Sequence, residues 1–194
     1  MLLTYIQGRV VRPLRENQTL LFLCLATVTV MMGQGVISPV LPRFARSFDV
    51  NATLVGFTIS AFGLGRMLMN LPVGLLADRF GRRLLLFGGP TVTALSSAAC
   101  ALTPDFWSLV GLRFISGMGS AMFMTGALIY ITDIADASNR ARFISLNQGS
   151  LLLGVSLGPV LGGFVAQWFG LRAPFWAVAV LAGACAVWAF ARIP

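Results

Sequence analysis

The chain has 194 residues, 57% of them hydrophobic and 10% charged. Soluble domains carry about 25% charged residues, and a chain this short must expose much of its surface. The composition therefore places it among membrane proteins and excludes a disordered chain, a disulfide-stapled secreted domain and a nucleic-acid binder. All 14 basic residues are arginines, against 6 acids, for a net charge of +8. They stand singly or in short clusters between apolar stretches, which fits topology signals better than a nucleic-acid face. Cys24, Cys100 and Cys185 are far apart in apolar runs and read as buried inert thiols.

A membrane-spanning helix needs about 20 mostly apolar residues. The apolar intervals predict six spans, near 18–41, 54–76, 84–103, 107–131, 143–166 and 174–192. Residues 1–17 read as a cytoplasmic arm before a six-helix domain over 18–192. Short connections make neighbouring spans antiparallel hairpins, and the absence of recurrent strand-like alternation argues against a β-barrel. The first span is too long for a cleavable signal peptide. Asn51 and Thr53 are set to cap the second span, and Thr103-Pro104-Asp105 to turn the chain before the fourth. Pro39, Pro42, Pro72 and Pro159 mark bends or protein-lined cavities.

Arginines decide the orientation. Those of the arm, with Arg79, Arg82, Arg83, Arg140, Arg142 and Arg192, fall on one side, while only Arg43, Arg46 and Arg172 fall on the other. Both termini are therefore expected in the cytoplasm, in a multi-pass protein of the cell membrane.

Within this frame the segment Gly74-Leu75-Leu76-Ala77-Asp78-Arg79-Phe80-Gly81-Arg82-Arg83 connects the second and third spans. Gly74 permits close helix contact, Gly81 permits a tight turn with positive φ, and Asp78, among cations, is expected to be ionised and paired. Arg113 lies in the fourth span, about 9–10 Å below the outer surface at about 1.5 Å per residue. At that depth it faces the bundle interior or water, or snorkels outward. Arg66 lies about 18 Å into the second span, with no acid at comparable depth. Its partner is a carbonyl, another chain segment or an anionic substrate. In the fifth span Gly154, Gly158 and Gly162 recur every four residues along one face, beside Pro159 and Gly163, where another backbone can approach closely.

These segments resemble the motifs of the major facilitator superfamily. Residues 74–83 match its signature loop. Arg113-Phe114-Ile115-Ser116-Gly117-Met118-Gly119 resembles its fourth-helix motif, with Ser116 where glutamine is usual. Gly154 to Gly163 resembles the motif of the drug:proton antiporter (exporter) branches, and Met32 to Pro42 resembles their first-helix pattern. The resemblance implies an all-α membrane protein: six helices in two inverted three-helix repeats, half of a major facilitator fold.

It further implies transport of a small molecule through the lipid bilayer, as proton-coupled efflux, in the N-terminal half of a transporter. The partner is a C-terminal six-helix half from the same gene, supplied in trans, or a second copy. A self-dimerising half-transporter and a truncated, non-transporting scaffold are the alternatives. By the resemblance, Gly74, Asp78, Arg79, Gly81, Arg82, Arg83 and Asp133 belong to conformational gating, with Asp78, Arg82 and Asp133 clustered as a latch. Arg113 belongs by the same resemblance to coupling, and Gly154, Gly158, Pro159, Gly162 and Gly163 to packing and antiport; Arg66, from its depth alone, is the further coupling or substrate candidate. No catalytic set, metal cluster or phosphate-cradling loop is visible, so neither enzyme activity nor a cofactor is expected.

Overall fold

Local chemistry sets each helix boundary. The computed structural model describes residues 18–192, so the predicted arm over 1–17 lies outside the described residues. The elements are α1 (Gln18–Ile37), α2 (Leu41–Arg46), α3 (Ala52–Phe80), α4 (Arg82–Leu102), α5 (Phe106–Ile134), α6 (Arg140–Phe169) and α7 (Ala173–Arg192). All but the short α2 are long and apolar enough to cross a membrane, and no strand occurs among the described residues.

The first span ends earlier than its apolar run suggests. Pro39 has no N–H to continue the helix, and the chain turns through bonds from Ser38 N to Gly35 O and Val40 N to Ile37 O. Pro42 then falls in the first turn of α2. Asn51 caps α3, its side chain accepting from Leu54 N at 2.9 Å. Thr53 lies inside the helix. Asp105 caps α5 by accepting from both the N–H and the hydroxyl of Ser108, each at 2.8 Å. Those bonds, the backbone one foremost, hold the Asp105 carboxyl below the usual carboxylate range. Its contribution is therefore in place at neutral pH and is lost as the pH falls through that lowered value.

The predicted second and fifth spans are both longer in the structure, reaching Phe80 and Phe169. Each stops at a glycine with positive φ, Gly81 at 83° and Gly170 at 86°. Both glycine N–H groups close the last turn, onto Ala77 O and Ala166 O. Gly81 alone joins α3 to α4.

Expectation and structure diverge in how the helices associate. Consecutive spans mostly do not pack as hairpins: α3 and α4 touch little, as do α6 and α7, whereas α4 packs closely on α5. The principal pairs otherwise join helices distant in sequence, α1 with α6, α3 with α5 and α4 with α7. Exchanging α1, α3, α4 for α5, α6, α7 maps the α1–α6 pair onto the α5–α3 pair, the relation expected of two inverted three-helix repeats.

Glycine makes these pairs possible, except that of α4 with α7. In lipid, helix association rests on close packing rather than on hydrophobic burial. A Cβ at Gly158 would lie 2.5 Å from Gly35 Cα, and one at Gly162 would lie 2.0 Å from Val36 O. At the other crossing, a Cβ at Gly117 would lie 2.2 Å from Phe62 O, and one at Gly65 would lie 2.2 Å from Phe114 O. Backbone meets backbone at both places, and again between α4 and α5, where a Cβ at Gly89 would lie 2.7 Å from Gly119 O. Buried polar pairs add to them: Thr27 Oγ1 donates to Asn147 Oδ1 at 2.8 Å between α1 and α6, and Gln34 Nε2 donates to Ser120 Oγ between α1 and α5. Such bonds within a bilayer contribute about 0.6–2 kcal/mol each.

The three cysteines are free and buried. Three apolar clusters fill the bundle, one around Leu20, Leu23, Phe123 and Ile131, a second around Ile37, Phe44, Leu109 and Phe175, and a smaller third around Met69, Val73, Leu85 and Ala121. By contrast, α3 and α6 each bury only 22% of their apolar window. Their open sides carry Leu64, Leu71 and Leu75 on α3, and Val160, Phe164 and Trp168 on α6.

Gly117→Ala is expected to destabilise the bundle by about 1–3 kcal/mol, because even one methyl overlaps the α3 backbone. Gly111→Ala, on the same helix with nothing within 4 Å of the added carbon, is expected to be neutral or slightly stabilising. Thermal unfolding of the purified variants in detergent checks the contrast.

Candidate functional site

The segment from Gly74 to Phe80 is helix rather than loop, which changes how its residues work. A Cβ at Gly74 would meet nothing within 4 Å, so the expected close helix contact is absent among the described residues. Asp78 lies one turn further along the same exposed side of α3 and has no hydrogen-bond or ion-pair partner among the described residues. The expected Asp78–Arg82–Asp133 cluster is thereby corrected to a pair, Arg82 Nε to Asp133 Oδ2 at 2.8 Å.

That pair joins the start of α4 to the end of α5. With side chains 40% and 44% exposed, it is a surface pair by geometry. Arg79 lies over the Phe80 ring at 5.4 Å. Arg83 donates from Nη2 to Phe190 O at 2.8 Å and lies over the Phe190 ring at 4.8 Å, tying α4 to α7. Residues adjacent in sequence thus serve three different contacts.

The second group sits deep in the bundle. Arg113 is only 8% exposed, so it does not snorkel to the outer surface. Its Nε is buried with no hydrogen-bond partner, and its guanidinium lies 4.6 Å from the centre of the Phe62 ring. Arg66, half-buried on α3, places its own guanidinium 6.0 Å from the same ring. Neither arginine has a carboxylate partner among the described residues. The crossing at Gly65 and Gly117 sets this register, since the Cβ position at Gly117 lies against both Phe62 O and Arg66 N.

Sequence reasoning singled out both arginines and overlooked Phe62, although it stands four residues before Arg66 on the same helical face. It also overlooked Asn70, whose Oδ1 accepts from Thr125 Oγ1 at 3.1 Å, and Gln34 and Asn147. The available signal was a carboxamide in the middle of an apolar run, which lipid tolerates only when partnered.

The third group is the glycine face of α6. Gly154, Gly158 and Gly162 all lie against the α1 backbone, and Pro159 Cδ approaches the Cβ position of Gly35 to 3.1 Å. Gly163 does not join them. Nothing lies within 4 Å of its Cβ position, and it lines, with Pro39, Arg43 and Gln167, a cleft of about 390 Å³. One residue on from Gly162 is about 100° around the helix, which turns Gly163 off the seam. No group of three or more His, Cys, Asp or Glu that could hold a metal ion occurs among the described residues.

An all-α bundle of six helices long and apolar enough to cross a membrane, packed through close glycine crossings, defines a polytopic membrane protein. Residues 23–194 match the Major Facilitator Superfamily, and the chain belongs to that family of transporters. It is 36% identical to the class C tetracycline resistance protein of Escherichia coli over 87% of this chain and 43% of that protein. It is 27% identical to multidrug resistance protein 2 of Bacillus subtilis over 91% of this chain and 44% of that protein. It is 29% identical to the quinolone resistance protein NorA of Staphylococcus aureus over 90% of this chain and 44% of that protein. The chain thus spans less than half the length of these relatives.

A double-mutant cycle distinguishes the pair from the cluster. Arg82→Gln with Asp133→Asn is expected to show a coupling of about 0.2–1 kcal/mol in unfolding free energy. The cycle of Arg82→Gln with Asp78→Asn is expected to show none.

Proposed function

We propose that this chain is the N-terminal half of a proton-coupled exporter of small molecules, with residues 18–192 as one six-helix half-domain. The observation that carries the reading is the α6 glycine–proline segment seated on α1, the segment in which the chain resembles exporters. The names of its relatives, which confer resistance to tetracycline, to multiple drugs and to quinolones, support the same direction. The arginine asymmetry supports an inward-facing N-terminus and C-terminal end, with residues 1–17 as a cytoplasmic arm. The open faces of α3 and α6 support a second six-helix body as partner, encoded with this one, supplied in trans or formed by a second copy.

In this reading the Arg82–Asp133 pair, close to Gly81, holds the cytoplasmic ends of α4 and α5 together in one state of the cycle. Gly74, Asp78 and Arg79, on the exposed end of α3, meet the partner half in that state. Arg113, desolvated between helices, is poised to sense protonation or charge in the cavity. Rocking one half against the other then exposes the midplane alternately to the two sides.

The test uses inverted membrane vesicles containing the chain alone, or the chain co-expressed with a C-terminal half taken from the tetracycline relative. Tetracycline accumulation driven by a pH gradient, collapsing on addition of a protonophore, is the expected result with both halves. Accumulation by the chain alone assigns the partner role to a second copy. Flux insensitive to the gradient, or absent with both halves correctly inserted, overturns the proton-coupled exporter.

A further inference from the structure

We infer that Phe62, Arg66, Asn70 and Arg113 form a binding site for a small organic anion, a carboxylate carried on an apolar body. The use of this site in transport rests on the function proposed above; the binding itself does not. Phe62, Arg66 and Asn70 recur every four residues and share one face of α3. Arg66 lies about 21 Å from the start of α3 at about 1.5 Å per residue, near the middle of the helix. Arg113 reaches the same ring from α5, held in register by the Gly65–Gly117 crossing.

The polar groups gathered here are donors. Two guanidiniums lie within 6.0 Å of the Phe62 ring centre, and Asn70, its Oδ1 occupied by the Thr125 hydroxyl, has its Nδ2 protons free among the described residues. The acids of the described residues, Asp49, Asp78, Asp105, Asp133 and Asp136, all sit in connections or near helix ends. Two cations at this depth without a counter-charge are costly. The Phe62 ring relieves that cost only in part, and Arg113 Nε is buried without a hydrogen-bond partner among the described residues.

An anion relieves it, and a planar carboxylate matches the guanidinium fork with two parallel bonds. The neighbouring exposed side chains, Ile59 and Met67, are apolar. They favour an anion with a hydrocarbon body over a bare inorganic ion, which would lose hydration without gaining contact.

The probe is 4-fluorobenzoate, with its neutral isostere 4-fluorobenzamide, titrated by fluorine NMR against the chain in phosphatidylcholine nanodiscs at neutral pH. The benzoate is expected to bind and the benzamide to bind far more weakly. Arg66→Gln, at a half-exposed position that tolerates the change, is expected to weaken benzoate binding about tenfold or more, with Arg66→Lys recovering only part. Phe62→Leu is expected to weaken both ligands. Equal binding of benzoate and benzamide overturns the proposal, as does benzoate binding unchanged in Arg66→Gln but lost in Arg43→Gln. Gradient-driven tetracycline flux is a separate readout: its failure with benzoate binding intact removes the exporter and leaves the anion site, and the reverse result removes only the site.

Discussion

Backbone-to-backbone contact at glycine crossings is the constraint on which the rest of this molecule depends. Where Gly158 meets Gly35 and Gly117 meets Phe62 O, a single added carbon would overlap main-chain atoms. In water such a site would be one packing detail among many. In lipid there is little hydrophobic gain from bringing apolar helices together, so close dispersion contact and the polar bonds it permits must hold the pairs. The crossings also explain the order of the bundle. Connections as short as Gly81 fix direction, but for α1, α3, α5 and α6 partner choice goes to helices whose backbones approach closely at glycines. Hence α1 finds α6 and α3 finds α5, although neither pair is adjacent in sequence.

The same crossings determine where charge can sit. Gly117 lies four residues after Arg113 and Gly65 one residue before Arg66, so the closest approach of α3 and α5 brings both cations to the Phe62 ring. A phenyl face offers a guanidinium only part of what water offers. The arrangement is therefore poised: stable enough to fold, because the ring and the open side of Arg66 soften the cost, yet still short of acceptors. By comparison, Arg82, Arg83 and Arg79 at the helix ends each find a carboxylate, a carbonyl or a ring close by.

How much was legible in the sequence follows from what each feature depends on. The number and class of the spans depend on uninterrupted apolar length, a property of the sequence itself, and the six appear in the structure. Their ends depend on single residues: Pro39 stops α1 before its apolar run is exhausted, and Gly81 and Gly170 let α3 and α6 run on to Phe80 and Phe169. The face used by Gly154, Gly158 and Gly162 was legible from spacing, but its partner α1 was not. Spacing describes one surface, whereas a contact needs two. Asp78 shows the same limit. Charge alone made a pair with Arg82 reasonable, but Asp78 lies on the exposed side of α3 while Arg82 turns to α5. Phe62 was missed because an aromatic in an apolar run carries no signal until the fold places charges on it.

The uneven burial of the helices follows from this packing and connects it to function. The two helices that contribute the densest crossings, α3 and α6, are also the two with most of their surface uncovered. One side of each is fixed rigidly against α5 or α1, and the other is free to face lipid, a partner body or a cavity. A rigid anchor on one side is what a binding residue on the other side requires, because it fixes where that residue stands. Arg66 and Asn70 occupy this position on α3, with the Gly65 contact adjacent to Arg66 and the Thr125 bond on Asn70 itself. On α6 the corresponding anchored side is longer, running from Gly154 to Gly162, but the open side carries Leu153, Leu157, Val160 and Phe164 and no charge. The two inverted repeats therefore share one packing device and differ in what they present. One offers donors at depth and the other an apolar wall.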